Sequence, residues 1–137
     1  MADLQSIADA IISKWSNTGY TSLDYREQVI LNVWAYAADV DNGGMEGYFC
    51  NPMGIYATDT YTALLAIGAD NHASILKRVI DLFHGNIPSD VDERTAIVEE
   101  MMDAEADLWD SSQKEFFALG SEDLYARLQK YSEPPAS

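Results

Sequence analysis

From Asp39 to Pro52 the chain reads Asp-Val-Asp-Asn-Gly-Gly-Met-Glu-Gly-Tyr-Phe-Cys-Asn-Pro, and this corner restricts what the rest can become. Ahead of it Val29, Ile30, Val33, Trp34 and Ala37 recur at three- and four-residue spacing, with Leu31 and Tyr36 widening the stripe. That spacing predicts one central helix over Thr21–Asp41. Asn42-Gly43 suits its end, because the first residue past a helix commonly takes a positive φ. Gly44 adds a second position without Cβ, where two backbones can come close. Tyr48-Phe49 re-enters apolar territory and Asn51-Pro52 stops the segment again. The corner therefore predicts a helix, a tight turn, one or two further turns of helix, and a second stop. Everything downstream must pack back on the first helix.

The flanking segments carry the same period. Asp3 is placed to cap a helix bearing Leu4, Ile7, Ala8, Ile11, Ile12 and Trp15, closed by Asn17-Thr18-Gly19. Thr21 with Asp24 resembles a capping arrangement for the central helix. Thr58–Ile67 carries Tyr61, Leu64 and Leu65 and closes at Gly68. Asp70 or Asn71 would cap the next helix, whose Ile75, Leu76, Val79, Ile80 and Phe83 share a face. His84 would then lie in its last turn, against the carbonyl end of the helix dipole. Ile97, Val98, Met101 and Met102 continue the pattern beyond a short connector at 86–89, the best place for a subdomain break. Ser121 would cap a last helix with Leu124, Tyr125, Leu128 and Tyr131 inward, before a fraying tail from Ser132. The sum is an all-α chain: a compact single-domain bundle of six to eight helices spanning 1–137.

Charge sets the second constraint. Eight basic residues face 23 acidic ones, a net charge of −15 in 137 residues. Such a surface repels nucleic acid and anionic membranes and attracts basic partners. The lone cysteine, Cys50, excludes an internal disulfide framework, fits a reducing compartment, and reads as a small buried apolar residue beside Phe49. No apolar run approaches the roughly 20 residues of a membrane span, and the acidic start is unlike a signal peptide. The expectation is a cytoplasmic protein that binds neither membrane nor nucleic acid directly.

The charge is not evenly spread. Residues 89–123 hold twelve acids against Arg94 and Lys114, a local net charge of −10. Asp92, Glu93, Glu99, Glu100, Asp103, Glu105, Asp107 and Asp110 form the densest part. On one helix Glu99, Asp103 and Asp107 would stand about 6 Å apart along the axis. Two steps of a DNA strand rise about 6.8 Å. An ordered helix of this kind presents carboxylates at a pitch that a phosphate-reading groove accepts. The plain alternative is a solvated helical face kept negative for solubility.

Other chemistry finds little material. His72 and His84 stand twelve residues apart without a third ligand, so no zinc spacing exists. Gly43-Gly44 lacks the lysine of a phosphate loop, no serine sits in a nucleophile elbow, and the acidic run lacks a calcium-loop ladder. The expectation is a non-enzymatic protein with no metal and no cofactor.

Asn42-Gly43-Gly44, an apolar residue, two variable positions, Tyr48-Phe49 and then Asn51 together resemble the signature of a family of small acidic bacterial proteins, the DNA-mimic proteins. The resemblance runs on through Ala63-Leu64 and Ile67-Gly68-Ala69 and covers roughly residues 22 to 85; beyond it, only the acidic helical character is similar. Met45 stands where an aromatic or leucine is expected, and Gly47 where a longer polar residue is expected, departures that concern packing. The resemblance implies an acidic mimic of double-stranded DNA that occupies the DNA site of a transcription factor or similar basic protein. It assigns Asn42, Gly43, Gly44, Tyr48, Phe49 and Asn51 a structural role. The partner-binding acids, Asp92 to Asp110 as named above, rest on local charge density instead. Two other functions fit the same charge: an immunity- or antitoxin-like inhibitor of a basic nuclease, and a small enzyme acting on a basic substrate. A homodimer would lengthen the acidic track.

Overall fold

The structure, a computed structural model, describes residues 3–133. Among them the chain is all-α, with seven helices: α1 (Leu4–Thr18), α2 (Tyr25–Cys50), α3 (Ala57–Ala66), α4 (Asp70–Asp81), α5 (Val91–Ala104), α6 (Ala106–Leu119) and α7 (Ser121–Ser132). Short 3-10 turns at Tyr20–Ser22 and Pro52–Tyr56 flank α2. Helix α2 is the axis of the bundle, touching α1, α3, α5, α6 and α7. Its Val29, Ile30, Val33, Tyr36, Ala37 and Val40 are buried almost completely. They meet Leu64, Leu76, Val98, Phe116, Leu124 and Leu128 from the surrounding helices in one apolar cluster. No helix among the described residues is long and apolar enough to cross a membrane.

The helix starts show where local chemistry was misread. Asp24, not Thr21, caps α2: its carboxylate accepts from the Glu27 N–H at 2.8 Å, while Glu27 Oε1 accepts from the Asp24 N–H at 3.0 Å. Lys14 Nζ donates to the same Glu27 oxygen at 2.8 Å, tying α1 to the start of α2. Asp3 caps α1 as its position predicts. Neither Asp70 nor Asn71 caps α4, which starts at Asp70 after Ala69 with no side-chain cap. Ser121 is likewise the first residue of α7, after Gly120 at φ 85°. Helix α4 ends at Asp81, so His84 lies beyond its last turn, exposed and at φ 52°. Ser132 does not fray: it is buried, and its carbonyl accepts from Arg26 Nη2. The rest of the expected tail, residues 134–137, lies outside the described residues.

The corner is also one residue displaced. Asn42 and Gly43 stay helical and exposed, and the left-handed residue is Gly44, at φ 71° and ψ −173°. That backbone region is open essentially to glycine alone. The break turns the last stretch of α2 so that Met45, Tyr48 and Phe49 all point inward. Gln113 of α6 fastens it, its Oε1 accepting from the Met45 N–H at 2.9 Å. Gly54, which no motif singled out, has the tighter constraint. A Cβ there would lie 2.8 Å from both the Phe49 Cα and the Tyr48 carbonyl oxygen.

Candidate functional site: an acidic face on α5 and the start of α6

Helix α5 is capped by Asp90, whose carboxylate accepts from the Glu93 N–H at 3.0 Å. Its Arg94, Val98 and Met101 are buried, at i, i+4 and i+7 on one stripe. At about 100° per residue, Asp92, Glu93, Glu99, Glu100 and Asp103 fall within an arc of about 120° on the opposite side. All five are exposed. From Asp92 to Asp103 the axial distance is about 16 Å, with two acids in the first turn and three after a gap of about 9 Å.

The single-helix pitch predicted through Asp107 stops short. Glu105 adopts φ −125° and ψ 42°, which ends α5 at Ala104 and starts α6 at Ala106. Asp107 and Asp110 therefore share the outer face of a different helix, with Glu105 at the joint. All three are exposed as well. The ion pairs among the described residues are Lys14–Glu27, His72–Asp123, Lys77–Asp81, Arg78–Glu115 and Arg127–Asp123. None uses any of the eight acids.

The helix field divides the eight. Asp92 and Glu93 stand in the first turn of α5 and Asp107 in the first turn of α6, where the positive helix end favours a carboxylate. These three help their own helices. Glu99, Glu100 and Asp103 lie in the second half of α5, whose last turn holds no basic residue. There the dipole and the i, i+4 neighbours both oppose negative charge, by a few tenths of a kcal/mol for each pair. Those three acids cost the fold stability and find no compensating contact among the described residues.

Arg94 explains how the segment stays uncompensated outside. Its guanidinium is fully buried and donates to four backbone carbonyls: Nε to Phe49 at 2.6 Å, Nη2 to Asn51 at 2.9 Å, and Nη1 to Pro88 at 2.8 Å and Ser89 at 3.4 Å. Two of these carbonyls close α2, where a cation meets the negative helix end. Burial lowers the guanidinium's pKa, with no carboxylate in direct contact, though an arginine stays protonated throughout the ordinary range. Sequence reasoning counted Arg94 only as a charge. The one signal for its burial was its place on the Val98–Met101 stripe.

The motif residues surround this anchor. Tyr48 shares a 3.0 Å hydrogen bond with Thr60 Oγ1 and meets Tyr36 edge-on at 4.9 Å, and burial raises its pKa. Phe49 packs against Phe83 and Trp109. Asn51 caps α2 from an exposed position. Asn42 and Gly43 have open surroundings. Cys50 is half-buried at the edge of the core. His72 was noticed in the sequence only as an isolated histidine. It is fully buried, edge-on to Phe116 at 5.1 Å, with Nε2 3.9 Å from Asp123, and burial pushes its pKa down. No group of three or more His, Cys, Asp or Glu side chains among the described residues is arranged to hold a metal ion.

A model of the DMP19-like protein family matches residues 21–134, so the chain belongs to that family. The match carries through the C-terminal third, well past the stretch where the resemblance was legible by eye. No curated protein and no solved structure matches the chain.

Proposed function

We propose that this member of the DMP19-like family is a non-enzymatic mimic of double-stranded DNA, occupying the DNA site of a basic DNA-binding protein such as a transcription factor. The observation that carries this reading is the face of α5: five exposed carboxylates, none in an ion pair among the described residues, with the helix's only cation withdrawn into the core. Five charges over about 16 Å leave four intervals averaging about 4 Å, the same order as the 3.4 Å of a single DNA strand. Lysines and arginines set for phosphates gain from such a surface in the same way. Glu99, Glu100 and Asp103 support a binding role best, because the fold is better off without them. The setting would be the cytoplasm, where such partners work.

The test begins with capture of the partner on the immobilised protein, followed by binding at 50 and 500 mM salt and by competition with duplex DNA. Binding steered by charge should weaken at least tenfold over that range. A flat salt response, or a partner that holds duplex DNA and this protein together, would sink the mimic. The inhibitor of a basic nuclease differs in one readout: the captured partner would cleave nucleic acid, and this protein would block cleavage.

A further inference from the structure

A groove of about 390 Å³ runs between α1, the first part of α2 and the Pro52–Tyr56 turn. Ile12, Trp15, Trp34 and Met53 line it, together with Asp39 and Asn51. Both indoles are half-buried, so each keeps part of an apolar ring open to water. Asp39 is also half-buried, makes no ion pair among the described residues, and lies beside Asn51 in the groove lining. Burial raises its pKa above the ordinary aspartate value. A carboxylate in this setting lacks a cation, and the apolar walls beside it lack a cover.

We infer that this groove docks an apolar side chain adjacent to an arginine or lysine on a partner protein, the apolar group lying on Trp15 and Trp34 and the cation reaching Asp39. Charge complementarity selects this occupant. The net charge of −15 turns away anionic ligands, and a neutral apolar ligand would bury Asp39 further without compensation. A guanidinium both neutralises the carboxylate and stacks favourably on an indole face. The volume is at the lower end for ligand sites, which suits a pair of side chains. None of α1, α2 or the Pro52–Tyr56 turn carries the acids of α5 and α6. The groove and the mimic reading therefore stand separately, and partner capture with α5 variants tests only the latter.

The probe is the dipeptide acetyl-Phe-Arg amide, titrated into the full chain while tryptophan emission is followed. Trp109 is 2% exposed and supplies a steady background, so changes report on Trp15 and Trp34. The neutral control is the same dipeptide with citrulline in place of arginine. Saturable binding is expected, at least fivefold tighter for the arginine form. Asp39→Asn should erase that preference, and Glu46→Gln, an exposed acid elsewhere on α2, should keep it. No emission change up to millimolar probe, equal affinity for both dipeptides, or a preference that survives Asp39→Asn would each overturn the inference. The citrulline comparison needs only the native sequence, so it decides even if a variant folds poorly.

Discussion

Replacing Arg94 by methionine tests the anchor on which the corner, the 86–89 connector and α5 all depend. Methionine fills much of the same volume but leaves the carbonyls of Phe49, Asn51, Pro88 and Ser89 without their donor. Three of those contacts are under 3 Å, and hydrogen bonds to a charged group contribute about 1.5–3 kcal/mol each. Adding them overstates the loss, because the native guanidinium is itself desolvated and methionine carries no such penalty. The carbonyls left behind are neutral, and each buried acceptor without a donor costs about 1–3 kcal/mol, so a net loss of about 3–4 kcal/mol is expected here. With a urea m-value of about 2 kcal/mol/M, the midpoint should fall by about 1.5–2 M. Melting should drop by roughly 10 °C. Equilibrium urea titration, followed by circular dichroism and by tryptophan emission, measures it. Arg94→Lys should lose an intermediate amount, since one ammonium cannot span carbonyls that the planar fork reaches from both sides. A midpoint shift under about 0.5 M for Arg94→Met would mean less than about 1 kcal/mol and would refute the anchor.

Neutralising Glu99, Glu100 and Asp103 together (to Gln, Gln and Asn) should leave stability equal or raise it by about 0.5–1 kcal/mol. The same variant should weaken capture of the partner at least tenfold at low salt, and loss of folding would place these acids in structural pairs. Gly44→Ala should cost about 2–3 kcal/mol, because it forces a side chain into a glycine-only conformation, with its Cβ 2.2 Å from Gln113 Oε1. Gly43→Ala, helical and open, should be neutral or stabilising by up to about 1 kcal/mol; equal effects at the two positions, read from thermal melts, would move the kink. For Asp39 the folded pKa is raised, so the ionised form is the one the fold disfavours. Asp39→Asn should therefore stabilise near pH 7, and the gain should fade as pH falls toward the ordinary aspartate value of about 3.9. Urea midpoints at pH 7 and pH 3.5 that differ equally between the two proteins would contradict this.

The period of the apolar residues was enough to predict an all-α bundle around one long helix, because burial on a helix leaves a three- and four-residue trace. Its limits appear where the deciding contact comes from elsewhere in the chain. Gly44 rather than Gly43 takes the left-handed conformation, since the stretch that follows must turn Met45 and Tyr48 inward and meet Gln113 from α6. Nothing between Asn42 and Asn51 encodes that partner. Asp24 rather than Thr21 takes the cap because Glu27 stands three residues after it and completes a capping box, a signal that is local to the sequence. For the candidate site, composition located the acids, and exposure of all eight follows from the stripe they avoid. The break at Glu105 was not legible: the acidic run continues through it unchanged, and no glycine or proline marks the joint.

The placement of the basic residues gives the acidic face its character. Of eight lysines and arginines, Lys14, Lys77, Arg78 and Arg127 are engaged with acids on α2, α4, α6 and α7, and Arg26 with the end of α7. None of these pairs reaches α5. That helix has one cation of its own, and it points from the inner stripe into the core. An arginine on the outer side would cancel a neighbouring carboxylate and give an incoming basic groove something to repel. On the inner side the charge is spent on the backbone carbonyls of Phe49, Asn51, Pro88 and Ser89. Arg94 thus leaves the outer face of α5 uniformly negative, although the helix dipole favours only Asp92 and Glu93 and opposes Glu99, Glu100 and Asp103.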